Sequence, residues 1–475
     1  MKVLLTGATG YIGKRLLPIL VENGHEVICC VRDKNRFTPP ETLKKHISII
    51  EIDLLVEESL SRIPKDIDAA YYLVHSMSVA KNYQELEEKS AKNFAAALNK
   101  TNAKQLIYLT GIANESNLSK HLESRLNVEE VLSNGTFALT SLRAGIIVGS
   151  GSASFEIIRD LVEKLPIMIT PKWLKTKCQP IGVSDVLSFL IKSLGKEELY
   201  DTNFDIGCND ILTYKEMLLQ FAEVRNLKRR IWIVPVMTPR LSSYWLYFVT
   251  STSYKLAVSL VDSMKIEVVC RNNDINKILN IEPSSYKAAL EKAFSKVESN
   301  AIVSSWKDSY SSSDINFEIT DFIEVPAFGV FKDERAKKIE NQDFTLNKIW
   351  SIGGKNGWYY GNWLWRIRGY LDKLAGGVGL RRGRTNQTQI NAGDSLDFWR
   401  VLYADKSEGR LLLFAEMKLP GEAWLEFKMH DGSLEQTATF RPLGLAGRLY
   451  WYSVWPFHGF IFRGLLRKLT KTQKP

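Results

Sequence analysis

With 475 residues, a net charge of +10 and 45% hydrophobic side chains, the chain is too long for one domain and has ample apolar material for large cores, so two or three domains are expected. Its five cysteines, Cys29, Cys30, Cys178, Cys208 and Cys270, are odd in number and lack metal-ligand spacing, which argues against a metal site and suits a reducing, cytoplasmic setting. No nucleic-acid-binding motif accompanies the positive charge, so nucleic acid is not expected as a partner.

Residues 3–5, Val-Leu-Leu, predict a strand buried on both faces, as in a parallel sheet. It runs into Gly7, Ala8, Thr9, Gly10, Tyr11, Ile12 and Gly13, with three glycines spaced three apart. Gly7 permits a tight turn, Gly10 lets a pyrophosphate approach the main chain, and Gly13 lets the next helix pack on the strand. The free N–H groups and dipole of that helix favour phosphate, so these seven residues form the expected dinucleotide-binding loop. Ile12, Leu16, Leu17, Ile19 and Leu20 make the helix's apolar face, Pro18 lies inside it, and Asn23-Gly24 is its stop.

The second strand, 27–31, ends in Arg32-Asp33. A carboxylate at its end would hold a ribose diol, whereas Arg32 suits a 2′-phosphate and can stack on adenine, so NADP is favoured, with NAD as the alternative. A third strand, 47–52, leads to Asp53 and Leu54, where adenine is usually contacted. A fourth, 69–74, ends at Val74 and leads to His75 and Ser76, also placed against the cofactor. A helix over 82–99 carries Ala91, Phe94, Ala95 and Leu98 on one face, and strands at 106–109 and 138–142 end at Thr110 and Arg143. Such alternation predicts a doubly wound, Rossmann-like α/β sheet. Residues 150–176 predict a small substrate lobe with a helix over 155–165, and the aromatic stretch 230–270 a hydrophobic wall.

Residues 1 to about 290 resemble the atypical short-chain dehydrogenase/reductase superfamily, in the branch of nitrogen-regulator-like proteins, simple quinone reductases and a complex I subunit. The resemblance rests on residues 6–13, on 179–186 (Gln-Pro-Ile-Gly-Val-Ser-Asp-Val), and on 125–129 with 140–143. It implies an active-site Tyr with a Lys four residues later, but those positions hold His121 and Arg125, and Thr110 stands in the region of the catalytic Ser. A His–Arg pair at i and i+4 shares one helix face. Imidazole can move a proton near neutral pH, whereas the guanidinium cannot deprotonate and is suited to ribose or phosphate. Thr110, His121 and Arg125 are therefore the candidate catalytic residues, Arg125 doubling as a cofactor ligand.

A Ser-rich stretch around 295–313 marks a boundary. The expected layout is a dinucleotide-binding domain with substrate lobe over 1–295, a linker over 296–315 and a second domain over 316–475. Strands are expected at 317–320, 346–351, 396–404, 411–419, 423–429 and 434–440, followed by a long aromatic helix with a basic end. A curved antiparallel sheet with such a helix is an α+β, helix-grip (START/polyketide-cyclase-like) architecture. The segments 358–365, 398–400 and 456–459 also resemble an uncharacterised domain fused to atypical reductases in bacteria. Trp363, Trp365, Trp399, Trp424, Trp451 and Trp455 are expected to line an apolar cavity, and Arg366, Arg368, Lys373, Arg381, Arg382 and Arg384 to form a basic run.

Three readings follow: an NADPH-dependent oxidoreductase acting on an apolar or quinone-like small molecule; a non-catalytic NADP(H) sensor or scaffold with a protein partner; and a peripheral lipid-binding protein. The apolar stretches at 244–261 and 449–462 fall short of the ~20 clean apolar residues of a spanning helix, so no transmembrane segment is expected, while peripheral membrane contact stays open. The first strand begins at residue 2, and no secretory leader is expected.

Overall fold

The computed structural model describes residues 1–32, 34, 37, 41–74, 83–114, 119–150, 152–234, 258, 261–298, 325, 330–354, 356–375, 377, 379, 384, 389–442 and 444–471. The chain divides into two compact units, Met1–Trp306 and Lys307–Pro475.

The strands of the first unit are β1 (Lys2–Thr6), β2 (Glu26–Val31), β3 (Ile47–Glu51), β4 (Ala69–Tyr72), β5 (Gln105–Gly111), β6 (Ala138–Ala144), β7 (Ile147–Val148), β8 (Ile167–Pro171), β9 (Lys177–Cys178), β10 (Ile181–Gly182), β11 (Thr202–Ile206), β12 (Leu212–Thr213) and β13 (Arg230–Val234). Its helices are α1 (Gly13–Glu22), α2 (Tyr83–Leu98), α3 (Lys120–Ser133), α4 (Ala153–Lys164), α5 (Val183–Ser193), α6 (Tyr214–Val224), α7 (Asp274–Ile278) and α8 (Tyr286–Glu298). Seven strands form a sheet in the order β11-β6-β5-β4-β1-β2-β3, all parallel. This is the expected doubly wound Rossmann-like fold. The direction of winding reverses between β1 and β4, which makes the carboxyl ends of those two strands the natural ligand crevice.

Successive β1 residues feed opposite cores. Val3 and Leu5 join Leu16, Leu20 and Phe189 on one face, and Leu4 joins Phe94, Leu106 and Leu139 on the other. All three β1 residues are fully buried, which explains the uninterrupted apolar run of the strand. The second lobe builds its own core, where the rings of Phe155, Phe221 and Phe294 lie 5.1 to 5.6 Å apart. The proposed wall at 230–270 falls largely outside the described residues.

The second unit contains β14 (Phe331–Lys338), β15 (Ser395–Leu396), β16 (Trp399–Asp405), β17 (Arg410–Ala415), β18 (Gly421–His430) and β19 (Ser433–Pro442), with helices α9 (Gln342–Ile349), α10 (Asn362–Leu374) and α11 (Gly444–Thr470). The strands form an antiparallel sheet in the order β14-β19-β18-β17-β16-β15. Trp451 of α11 stacks on Phe331 of β14 at 5.4 Å and on Phe440 of β19 at 5.8 Å, fastening the terminal helix across one edge of the sheet.

Two strand expectations are corrected here. Residues 346–351 lie in and just after helix α9, which Asn341 caps by accepting from Phe344 N at 2.9 Å; Leu346, Ile349 and Trp350 have helical spacing. The strand expected over 396–404 is broken into β15 and β16. Asp397 adopts φ +54°, and its carboxylate accepts from Trp358 Nε1 at 2.8 Å, so the chain turns there. The strand expected at 317–320 lies outside the described residues.

Candidate functional site

The glycine loop follows β1 directly. Gly7 has φ +71°, and a Cβ there would lie 2.7 Å from the carbonyl oxygen of Leu73, just after β4. Gly10 N donates to Gly7 O at 2.8 Å, closing the turn. A Cβ on Gly13 would come within 2.2 Å of that same oxygen, so α1 can start this close to β1 only without a side chain. Thr6 Oγ1 donates to Tyr71 O at 2.9 Å and accepts from Leu73 N at 3.2 Å, tying β1 to β4 at the winding reversal. Ala8 is fully buried, and Thr9 and Ile12 are half-buried.

The other expected cofactor residues lie along the same edge, each after a strand. Arg32 follows β2 and is exposed. After β3, Asp53 Oδ1 accepts from Leu55 N at 2.9 Å, and Leu54 O accepts from Asn93 at 2.9 Å. Val74, after β4, is half-buried. His75, Ser76 and Asp33 lie outside the described residues.

Thr110 is the penultimate residue of β5, on the same side as Tyr108, and is buried. Burial pushes the Tyr108 phenol up to about 12, with the Arg125 cation and the Thr110 hydroxyl pulling the other way. Its hydroxyl donates to Arg125 O at 3.5 Å. On α3, His121 and Arg125 are half-buried and one turn apart. Arg125 reaches the end of β5, where a Cβ on Gly111 would be 3.5 Å from its Nη1. Arg125 Nε is buried without a hydrogen-bond partner among the described residues. A buried guanidinium N–H left open is costly, and an anion or ribose oxygen would satisfy it. Arg143 is engaged instead with Glu129, Nε to Oε2 at 3.0 Å and Nη2 to Oε1 at 2.9 Å.

Two residues beside the site were not anticipated. Arg15 is buried; its Nη2 donates to Ser150 O at 2.8 Å and its Nη1 to Tyr11 O at 3.2 Å. Its guanidinium lies 4.1 Å from the Tyr11 ring centroid, and Tyr11 OH also donates to Ser150 O, at 3.3 Å. Glu87 of α2 is buried and accepts from the Ser124 hydroxyl; its charge adds to the upward push on Tyr72 and Tyr108. Both had a signal: a charge inside an apolar helix stripe, since Glu87 shares the spacing of Ala91, Phe94 and Leu98.

In the second unit the six tryptophans do not line one cavity. Trp365 and Trp399 join the core on one face, Trp424 packs with Leu402, Leu412 and Phe414 on the other, and Trp363 and Trp455 are exposed. The basic run also divides. Arg384 donates to the carbonyls of Trp350 and Ile352 at 2.8 and 2.6 Å, Lys373 is buried, and Arg366 is exposed. Arg381 and Arg382 lie outside the described residues.

Residues 7–151 match a family described as NAD(P)H-binding, and residues 329–465 match one described as Protein of unknown function (DUF2867). The chloroplastic divinyl chlorophyllide a 8-vinyl-reductase of Arabidopsis thaliana is 23% identical over 225 residues, covering 44% of this chain and 53% of that protein. The chain thus spans about half the length of this curated relative. In fold, the first unit is similar to a nucleoside-diphosphate-sugar epimerase from Staphylococcus aureus, with TM-score 0.51, 16% identity, and coverage of 61% of this chain and 100% of that one. Triphenylmethane reductase of a Citrobacter species gives TM-score 0.51 at 16% identity, covering 62% and 100%. Among the described residues no helix is long and apolar enough to cross a membrane. The first unit thus has a Rossmann-like fold in which residues 7–151 match an NAD(P)H-binding family, and this supports a nicotinamide dinucleotide as the class of cofactor.

Proposed function

We propose that this protein is an NADPH-dependent oxidoreductase acting on an apolar or quinone-like small molecule in the cytoplasm. The observation that carries the reading is the glycine cradle at the β1–β4 reversal, where neither Gly7 nor Gly13 has room for a Cβ. Exposed Arg32, after β2, supports preference for a 2′-phosphate. Bound NADPH supplies the hydride. The chain contributes the cradle, the open Arg125 Nε for an anionic or ribose oxygen, and His121 as the nearby group able to move a proton. The curated relative carries the name of a vinyl reductase, and an apolar conjugated acceptor is consistent with hydride transfer that needs no tyrosine acid.

Residues 1–295 are assigned to this function, with 296–315 as a linker to the domain over 316–475. The replacement of the Tyr–Lys pair by His121 and Arg125 favours a second reading, a non-catalytic NADP(H) sensor acting through a protein partner.

Calorimetric titration with NADPH and NADH, followed by NADPH oxidation against a panel of quinones, separates these readings. Tight NADPH binding with turnover supports the reductase, and His121→Ala then tests the proton donor. Binding without turnover supports the sensor. No binding of either nucleotide overturns both.

A further inference from the structure

We infer that the outer surface formed by α10 and α11 docks on an anionic lipid bilayer. On α10, Trp363, Ile367, Tyr370 and Leu374 recur at helical spacing and are half or more exposed, Trp363 at 61% and Tyr370 at 62%. On α11, Leu449, Tyr452, Phe457 and Phe460 point outward in the same way, Tyr452 at 65%. Side chains of this size left in water along two helices exceed the scattered apolar exposure of an ordinary surface and mark an interaction face.

The two stripes adjoin. A Cβ on Gly464 of α11 would strike the Tyr360 ring at 2.1 Å, a Cβ on Gly361 would lie 3.8 Å from the Ile461 side chain, and the rings of Tyr360 and Phe460 are 5.1 Å apart. The start of α10 therefore rests on α11 beside Phe460.

Charge selects the occupant. Beyond Phe460, α11 turns Arg463, Arg467 and Lys468 to solvent, and α10 adds Arg366. Asp372 is the acidic residue within these two helices, and it is fully buried, where it accepts from Gly379 N and Lys418 N. The exposed face is thus aromatic and positive throughout. A second copy would bring the same sign of charge against it and be repelled, whereas anionic headgroups meet the arginines while Trp, Tyr and Phe enter the headgroup layer.

The test is flotation of the full chain with vesicles of phosphatidylcholine alone and with phosphatidylglycerol added, at low and raised salt, alongside light scattering without lipid. The wild-type protein is expected to float with the anionic vesicles and to be released by salt. The exposed-site variant Trp363→Ser/Tyr370→Ser, checked for an unchanged melting temperature, should lose binding about tenfold or more. Arg463→Glu/Arg467→Glu should do the same through charge alone, by about tenfold. Failure to float, equal binding to both vesicle types, or binding untouched by either variant would overturn the inference. So would a dimer in solution that these substitutions dissociate, since a second copy would then cover the face.

Discussion

A methyl group on Gly13 would sit 2.2 Å from the carbonyl oxygen of Gly7. Backbone meets backbone at that point, so no side-chain rotation can relieve the contact. Gly13→Ala should therefore cost about 1–3 kcal/mol of stability and weaken nucleotide binding. Gly24→Ala is the control: φ is +79° with nothing within 4 Å of the Cβ position, so it should cost about 1–2 kcal/mol and leave nucleotide affinity unchanged. Urea unfolding and calorimetric titration measure the two effects separately.

Arg32→Ala should weaken NADPH binding by roughly tenfold to a hundredfold, the worth of a charged hydrogen bond to phosphate, with little change for NADH. Titrations with both nucleotides check it, and equal losses would remove the 2′-phosphate assignment.

Arg125→Met removes a guanidinium whose Nε has no partner among the described residues. Nucleotide affinity should fall about tenfold, while the urea midpoint should stay level or rise. A fall in stability without a fall in affinity would assign Arg125 to the fold instead.

Arg400 and Glu416 form a fully buried pair, with Nε to Oε1 at 3.0 Å, and Arg400 Nη1 also donates to Gly393 O at 2.8 Å. Glu416→Gln leaves a buried cation short of its counter-charge and should cost about 3–5 kcal/mol. The double variant Arg400→Met/Glu416→Leu should cost less than either single change, read from denaturant midpoints.

His458 lies between Trp451 and Phe462, with ring centroids 4.8 and 4.9 Å away. Burial holds its imidazole down at about 4 from the ordinary 6.5, with the Asp333 charge opposing and Arg335 reinforcing the shift. Above the unfolded value, both folded and unfolded chains carry neutral imidazole. As pH falls from there towards the folded value, the unfolded chain takes up a proton that the folded chain does not. Stability from this group is thus full above pH 6.5 and is lost on acidification, by up to about 3 kcal/mol. Urea unfolding at neutral pH and near pH 5 should show the loss in the wild type and a smaller one in His458→Gln.

The turn from β1 into α1 was legible because its cause is local. The glycine spacing, the apolar strand before it and the helix after it each impose the same geometry, and β1 and α1 form where those signals lie. Two edge strands, β11 and β14, were hidden by their polarity. β11 carries buried Asp205, whose charge is met by Arg271 at 2.9 Å and by Asn114 at 2.8 Å, partners far away in sequence. β14 reads Phe-Lys-Asp-Glu-Arg-Ala-Lys-Lys, and as an edge strand with one face in water it has no apolar alternation to reveal it. The division of the tryptophans between two faces of the second sheet follows from register, which residue type alone does not encode.

Ser150 O receives both Arg15 and the Tyr11 hydroxyl, so the nucleotide loop is not a self-contained module. Transplanted with only its own strand and helix, as in a chimera ending before residue 150, it would carry a buried guanidinium stripped of an acceptor. Portable versions of this loop must therefore include the segment that leads into α4, or replace Arg15 with an uncharged side chain.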